Sequence, residues 1–146
     1  MKVKDCMCHE VAYLTPDSSV EECAKMMCNK HIGCIPVCDN NKTIVGIVTD
    51  RDVILRTIAC NKDIKSTPIS DIMTCKVCSC LEDEEVNEAE KKMSEEQIRR
   101  LPVVDKNNKI IGIITLGDLC KNKNVDSQEV SKTLENICIT NNKNAE

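Results

Sequence analysis

An internal repeat with a period of 66 residues constrains the fold of this chain more than any other feature. The segment GIVTDRD, Gly46 to Asp52, recurs as GIITLGD, Gly112 to Asp118. The longer segments IPVCDNNKTIVGIVTDRD and LPVVDKNNKIIGIITLGD align without a gap and are identical at half of their positions. A fixed period shows that one structural unit has been copied. Two copies are too few for a solenoid, and they predict two similar units packed about a pseudo-twofold axis.

Each repeat predicts the same α/β order of elements, β-α-β-β-α. In the first repeat, apolar runs predict strands and helical spacing of apolar residues predicts helices. The strands are Val11–Leu14, Cys34–Cys38 and Thr43–Val48, and the helices begin near Val20 and at Asp50. Serines followed three residues later by glutamates indicate a cap for the first helix. The second repeat predicts strands near Val77–Leu81, at Arg100–Val104 and at Lys109–Thr115, with helices from Glu85 and Leu116.

The chain divides by repeat into residues 1–66, residues 67–124 and a C-terminal segment, 125–146. Val130, Leu134 and Ile137 are spaced as one face of a short final helix, and the last six residues, NNKNAE, are expected to be disordered. The apolar face of that helix is expected to need a partner surface. A twofold homodimer is the simplest closed assembly that would supply one.

Composition excludes several classes of function. The net charge is −4, and the only aromatic residue is Tyr13. Nucleic-acid binding needs a basic surface or aromatic stacking platforms, so no nucleic-acid partner is expected. No apolar run approaches the roughly 20 residues that cross a bilayer. The start of the chain does not read as a signal peptide. We therefore expect a cytoplasmic protein with no membrane partner.

The twelve cysteines allow two interpretations. Several align with a small or apolar residue of the other repeat: Cys23 aligns with Ala89, and Cys38 aligns with Val104. Most cysteines are therefore expected to fill the core as small hydrophobes. The spacing Cys75-x-x-Cys78-x-Cys80 also permits a metal or redox site. A complete second pair of ligands is lacking, which makes this the alternative and not the main hypothesis.

Thr-x-x-Asp between a strand and a helix has a purely structural explanation. The threonine hydroxyl caps a helix amide and the aspartate reaches back, which stabilises the helix by about 0.5–2 kcal/mol. The same geometry suits a ligand, because a hydroxyl can donate to phosphate and a carboxylate can accept from both hydroxyls of a ribose. His9 and His31 stand beside no nucleophile, and the glycines form no phosphate loop. No enzyme activity is therefore expected.

The repeated motifs resemble a tandem pair of cystathionine-β-synthase (CBS) domains, as found in small stand-alone bacterial proteins. The resemblance rests on Asp5 and Met7 over Asp71 and Met73, on Pro-Val opening the second strand of each repeat, and on Gly-x-x-Thr-x-x-Asp in both copies. It implies a regulatory module that binds adenine nucleotides of the AMP, ADP or ATP type in the cleft between repeats and signals to an effector protein. It implies no required cofactor.

Carried over residue by residue, the resemblance assigns two sets of ligand-binding positions. The first set is Val11, Ile35, Pro36, Thr49 and Asp52, and the second is Val77, Leu101, Pro102, Thr115 and Asp118. Charge adds one candidate to each set: Arg51, which can hold a phosphate through two hydrogen bonds, and Arg100. The two sets differ in charge. The first repeat has Asp50 and Arg51 inside its motif, whereas the second has Leu116 and Gly117 there, and carries Arg99 and Arg100 beside the base-lining strand.

Overall fold

The computed structural model describes residues 1–140, with side chains up to Ile139, and shows an α/β fold. Two compact units are present. Ala12–Val77 form the unit that we call the 12–77 unit, and Met1–Val11 join the chain from Cys78 onward in the 78–140 unit. The predicted NNKNAE segment lies outside the described residues.

The 12–77 unit contains a two-stranded sheet and two helices. Its elements are α1 (Val20–Lys30), β1 (Cys34–Cys38), β2 (Ile44–Thr49) and α2 (Asp50–Val53), which continues as a π-helical turn over Ile54–Ile58 and is followed by a 3-10 turn at Ile69–Asp71. Helix α1 begins as predicted, because the Ser19 hydroxyl accepts from the Glu22 amide at 3.1 Å. It ends at His31, which adopts a left-handed conformation with φ 53°.

The 78–140 unit repeats this arrangement and adds a helix. Its elements are a 3-10 turn at Val3–Asp5, then β3 (Cys80–Leu81), α3 (Val86–Glu96), β4 (Arg100–Val104), β5 (Ile110–Thr115), α4 (Leu116–Lys121) and α5 (Ser127–Thr140). Both repeats therefore carry the predicted helix-strand-strand-helix succession, and the predicted α/β class is confirmed.

The two antiparallel hairpins are copies of each other. In β1–β2 Ile35 pairs with Val48, and in β4–β5 Leu101 pairs with Ile114. Both hairpin turns are built by an aspartate. Oδ1 of Asp39 accepts the amides of Asn41 and Thr43, and Oδ1 of Asp105 does the same for Asn107 and Lys109. Such local side-chain bonds are why aspartate favours turns.

The predicted first strand, Val11–Leu14, is wrong except at Leu14. The Leu14 amide donates to the Pro36 carbonyl, and the Cys38 amide donates to the Leu14 carbonyl, as in one parallel bridge. The next bond of a parallel ladder would come from residue 16. Pro16 has no N–H to donate, so the ladder stops there. The second repeat has Glu82 at the equivalent place, and β3 pairs over two residues, Cys80 with Val103 and Leu81 with Val104.

Each unit contains the leading segment of the other sequence repeat. Val3 and Met7 are buried in the core of the 78–140 unit, and Ile69 and Ile72 are buried in the core of the 12–77 unit. Two main-chain bonds tie Cys8 to Ile113, in the way that two others tie Thr74 to Ile47. The compact units thus interleave the repeats, whereas division at residues 66 and 124 follows the sequence repeat. That division remains a prediction.

Two glycines allow these leading segments to approach the sheets. A Cβ placed on Gly46 would lie 2.5 Å from Sδ of Met73, and one on Gly112 would lie 2.8 Å from Sδ of Met7 and 3.0 Å from the Cys8 carbonyl oxygen. The repeated glycine and the repeated methionine are therefore two sides of one contact, made once in each unit.

The final helix is covered by its own unit, which corrects the expectation that its apolar face needs a partner. Val130 and Ile137 are buried in the core with α3 and α4, and Leu134 is 41% exposed. Helix α5 has no counterpart in the 12–77 unit, where a 3-10 turn and no further α-helix follows the π-helical turn.

Candidate functional site

Both Thr-x-x-Asp motifs form reciprocal capping boxes. In the first, the Asp52 amide donates to Oγ1 of Thr49 at 3.1 Å and the Thr49 amide donates to Oδ2 of Asp52 at 2.9 Å. In the second, the same two distances join Asp118 and Thr115. The Thr115 hydroxyl also donates to Oδ2 of Asp118 at 2.7 Å. The structural explanation of the motif is confirmed. Thr115 must turn its hydroxyl away from Asp118 to donate to a ligand.

The amides at the start of α2 are already occupied. The Asp50 amide donates to the Gly33 carbonyl at 3.0 Å, and the Arg51 amide donates to Oδ1 of Asp50 at 2.9 Å. In the second motif the Leu116 amide donates to the Arg99 carbonyl at 2.8 Å. Leu116, the equivalent of Asp50, is apolar and buried. It therefore offers no carboxylate to the Gly117 amide in the way that Asp50 does to the Arg51 amide. The second motif is therefore the more open of the two to an anion.

The two aspartates also differ in their charge partners. Asp52 is 9% exposed, and its Oδ1 lies 3.7 Å from Nη2 of Arg56. Arg56 also donates to the Ile72 carbonyl at 2.9 Å. The equivalent residue of the second repeat is Asn122, whose amide donates to Sγ of Cys6 at 3.2 Å. Within residues 1–140, Asp118 consequently lacks the ion pair that neutralises Asp52.

Asp118 lines an open depression of about 580 Å³ in the 78–140 unit. Two lysines, Lys121 and Lys123, share this depression with the Asp118 carboxylate, and the remaining lining residues are Asp5, Cys6, Asn122 and Asn124. Sequence reasoning missed the two lysines. Their positions in the sequence were the available signal, because they follow Asp118 by three and five residues. A residue at such a spacing lies within one helical turn of Asp118 or just past the end of the helix.

The other predicted site residues are distributed between core and surface. Ile35 and Leu101 are fully buried in the cores of their units, and Pro36 and Pro102 are buried beside them in β1 and β4. Neither Ile35 nor Leu101 therefore exposes surface to a base in this arrangement. Arg100 is half-buried and pairs in register with Thr115, while Arg51 is exposed on α2. Val11 and Val77 are half-buried, and each belongs to a different compact unit from the motif with which it was predicted.

The cysteines do not behave as one class. Cys23, Cys34, Cys38 and Cys80 are buried, and Cys6 and Cys78 are half-buried. The other six are exposed, so the expectation that most of them fill the core is wrong for half of the set: Cys8, Cys28, Cys60, Cys75, Cys120 and Cys138. Burial raises the pKa of Cys80 to about 12 and that of Cys23 to about 11. Among residues 1–140, no three metal-ligating side chains come together.

The comparisons with known proteins agree with this repeat architecture. The profile of the CBS domain matches residues 3–57 and again residues 69–124. This chain belongs to the CBS domain family. Its relatives include the CBS domain-containing protein YhcV of Bacillus subtilis, which is 38% identical over 92% of this chain and 94% of that protein.

Solved CBS structures have the same fold. The CBS domain pair of protein MJ0100, in complex with 5′-methylthioadenosine and S-adenosyl-L-methionine, is 32% identical, with a TM-score of 0.74 over 83% of this chain and 98% of that one. CBSX2 in complex with AMP is 30% identical, with a TM-score of 0.70 over 80% of this chain and 91% of that one. Within the described part of this CBS chain, no helix has the length and apolar character to cross a membrane.

Proposed function

We propose that this CBS pair is a regulatory module that binds an adenosine-containing ligand, of the AMP, ADP or ATP type, and signals to an effector protein. The observation that carries the proposal is the Asp118 carboxylate, which has no ion-pair partner in residues 1–140 and lines an open depression beside Lys121 and Lys123. The relatives that hold AMP or S-adenosyl-L-methionine support the same class of ligand. The ligand acts as a regulator, and no further cofactor is required.

Asp118 accepts from the ribose hydroxyls in this proposal. A charge-assisted bond of this kind contributes about 1.5–3 kcal/mol. Lys121 and Lys123 attract the phosphates, and Thr115 donates to one of their oxygens once it releases Asp118. Arg100, Leu101 and Pro102 remain the proposed base-side residues of this site, and the role of Val77 stays a prediction.

The first repeat supplies the second proposed site, from Thr49, Arg51 and Asp52 with Ile35 and Pro36, and the role of Val11 stays a prediction. Arg56 already compensates the Asp52 charge. A ligand has to compete with that ion pair for the carboxylate. We therefore expect the Asp118 site to bind more tightly than the Asp52 site.

Calorimetry with AMP, ADP, ATP and S-adenosylmethionine tests the proposal. Asp118→Asn should remove the tighter binding event with a loss of about 10- to 150-fold, and Asp52→Asn should affect the weaker one. Lys123→Ala should weaken the binding of nucleotides more than the binding of adenosine. Lys132 is an exposed lysine of α5 outside the depression, and Lys132→Ala should change neither affinity. Absence of heat with all four ligands at millimolar concentration would refute the proposal.

The homodimer remains part of the proposal, with a different surface from the one predicted. Ile54, Leu55 and Ile58, on and around the π-helical turn, are 54%, 46% and 63% exposed. Grouped exposed aliphatic side chains of this size mark interaction surfaces. Light scattering should give twice the 16.3 kDa chain mass, and Ile58→Glu should return the monomer. A dissociation constant of about 100 µM corresponds to an association free energy of roughly 5–6 kcal/mol. If the unaltered protein is a monomer at this concentration, the dimer is contradicted.

A reducing compartment suits the six exposed thiols, because disulfides are rare in the cytosol, so we propose a cytoplasmic location. The alternative of a metal or redox protein gains no support from the described residues. They bring no three ligands together, and the raised pKa values of Cys23, Cys38 and Cys80 keep these thiols protonated at neutral pH.

A further inference from the structure

A second pocket in the 78–140 unit is strongly acidic. Its volume is about 270 Å³, and it lies where α3, the start of α5 and the N-terminus of the chain meet. Four carboxylates line it, from Glu85, Glu90, Asp126 and Glu129. It contains neither Thr115 nor Asp118, and Asn124 is the one lining residue that it shares with the depression proposed for the nucleotide.

Only one of the four carboxylates is neutralised by the described chain. Glu85 pairs with the Met1 ammonium at 3.1 Å and with Nζ of Lys2 at 2.5 Å. The carboxylates of Glu90, Asp126 and Glu129 take part in no ion pair within residues 1–140. Asp126 accepts only a main-chain amide, that of Gln128, at 2.9 Å. Three negative charges are thus left without a cation in one pocket.

Glu90 is the unusual member of this group. It is 4% exposed, and its Oε1 is buried without a hydrogen-bond partner among the described residues. Burial raises its pKa, and the carboxylates of Glu129 and Asp126 raise it further. The equivalent residue of the first repeat is Ala24, which is exposed, so the glutamate is no requirement of the repeated fold. A buried carboxylate with an unused oxygen costs folding free energy unless something binds it.

A single metal ion does not fit these groups. No three carboxylate, imidazole or thiolate side chains in residues 1–140 lie close enough together to hold one. A cation with separated N–H donors can reach carboxylates that are too far apart for one metal. Val86 and Val125 also line the pocket and offer apolar contact to methylene groups between such donors. Small-molecule sites combine apolar walls with a few placed polar groups in this way.

We propose that this pocket binds a small organic dication, an alkyl chain that carries two ammonium groups. One ammonium group donates to Glu90 at the buried end. The other lies nearer the mouth and pairs with Glu129, while Asn87 and Asn124, which also line the pocket, accept hydrogen bonds from the remaining N–H groups. A dication offsets two of the three uncompensated charges, and a monovalent amine offsets one. The proposal is independent of the nucleotide site.

Titration calorimetry of the full chain with putrescine tests the proposal. Two ligands of similar length serve as controls, n-butylamine with one charge and 1,4-butanediol with none. Putrescine should bind more tightly than butylamine, and butanediol should give no heat. Glu90→Gln and Glu129→Gln should each lower the affinity for putrescine about tenfold or more, because each removes one charge-assisted hydrogen bond. Glu88→Gln, an exposed position of α3 outside the pocket, should stay within about twofold.

The same experiment contains the outcomes that overturn the proposal. Equal heats for putrescine and butanediol, or a Glu90→Gln variant that binds putrescine as well as the unaltered protein, would show that Glu90 is an inert buried acid. Displacement of putrescine by equimolar magnesium chloride would show a metal site instead. Glu129 is exposed, so its variant tests the pocket even if Glu90→Gln folds poorly. AMP binding should be unchanged in every variant, which separates a failure here from failure of the nucleotide site.

Discussion

Replacing Gly112 with alanine is expected to destabilise the protein by inserting a methyl group between β5 and the leading segment. The new Cβ would lie 2.8 Å from Sδ of Met7 and 3.0 Å from the Cys8 carbonyl oxygen. The thioether can move, but the carbonyl is held by the two main-chain bonds between Cys8 and Ile113, at 2.8 and 3.0 Å. Overpacking of this kind costs about 1–3 kcal/mol.

Urea denaturation measures the cost, and Gly117→Ala is the matched control. A Cβ on Gly117 meets only Oγ1 of Thr115, at an ordinary 3.6 Å, and the residue lies in helix α4. Alanine there should stabilise by about 0.5–1 kcal/mol, because glycine loses more backbone entropy in a helix. The two substitutions add the same methyl group and are expected to change the unfolding free energy in opposite directions.

A double-mutant cycle locates the cause of the Gly112 effect. Met7→Ala alone should cost about 2–5 kcal/mol, since Met7 is 8% exposed in the core. In that background the cost of Gly112→Ala should fall, leaving the part that comes from the Cys8 carbonyl. A Gly112→Ala variant as stable as the unaltered protein, or an equal cost with and without the Met7 side chain, would refute this account of the repeated glycine.

Two further predictions concern the thiols and the final helix. Iodoacetamide should modify exposed Cys60 rapidly and leave Cys80 unmodified in the folded chain, as read by mass spectrometry. Because the pKa of Cys80 is raised to about 12 from an ordinary 9, its contribution to stability is complete below pH 9 and should be lost as the pH rises through 12. Rapid labelling of Cys80 at neutral pH would contradict its burial. Ile137→Ala should cost about 2–5 kcal/mol in thermal or urea unfolding, and Ile139→Ala almost nothing, because these side chains are 1% and 69% exposed. Equal costs would show that α5 does not dock as described.

The residue types of the candidate site could be predicted from the sequence. The difference between the Asp52 site and the Asp118 site could not. The paired Thr-x-x-Asp motifs specify the same capping box twice, because the spacing alone brings the hydroxyl to the third amide. The difference between the sites comes from Arg56 and Asn122, which stand at equivalent positions a helical turn beyond each aspartate. Nothing in the motif shows that Arg56 pairs with Asp52.

The sequence by itself determined the features that depend on neighbours along the chain. These are the hairpin turns at Asp39 and Asp105, the Ser19 cap and the two capping boxes, each a bond within four residues. Their partners are close in any conformation, so composition and spacing are sufficient to predict them.

Only the tertiary structure decided the features that need distant partners. Each leading segment packs on the repeat that it does not precede. Pro16 ends a ladder whose partner strand, β1, comes much later in the chain. Helix α5 buries Glu90, whereas the equivalent Ala24 of the first repeat is exposed. Local pattern carries no information on these contacts, because burial depends on which surface covers a residue. The acidic pocket arises for that reason: a helix that only one repeat possesses closes over a glutamate that only that repeat carries.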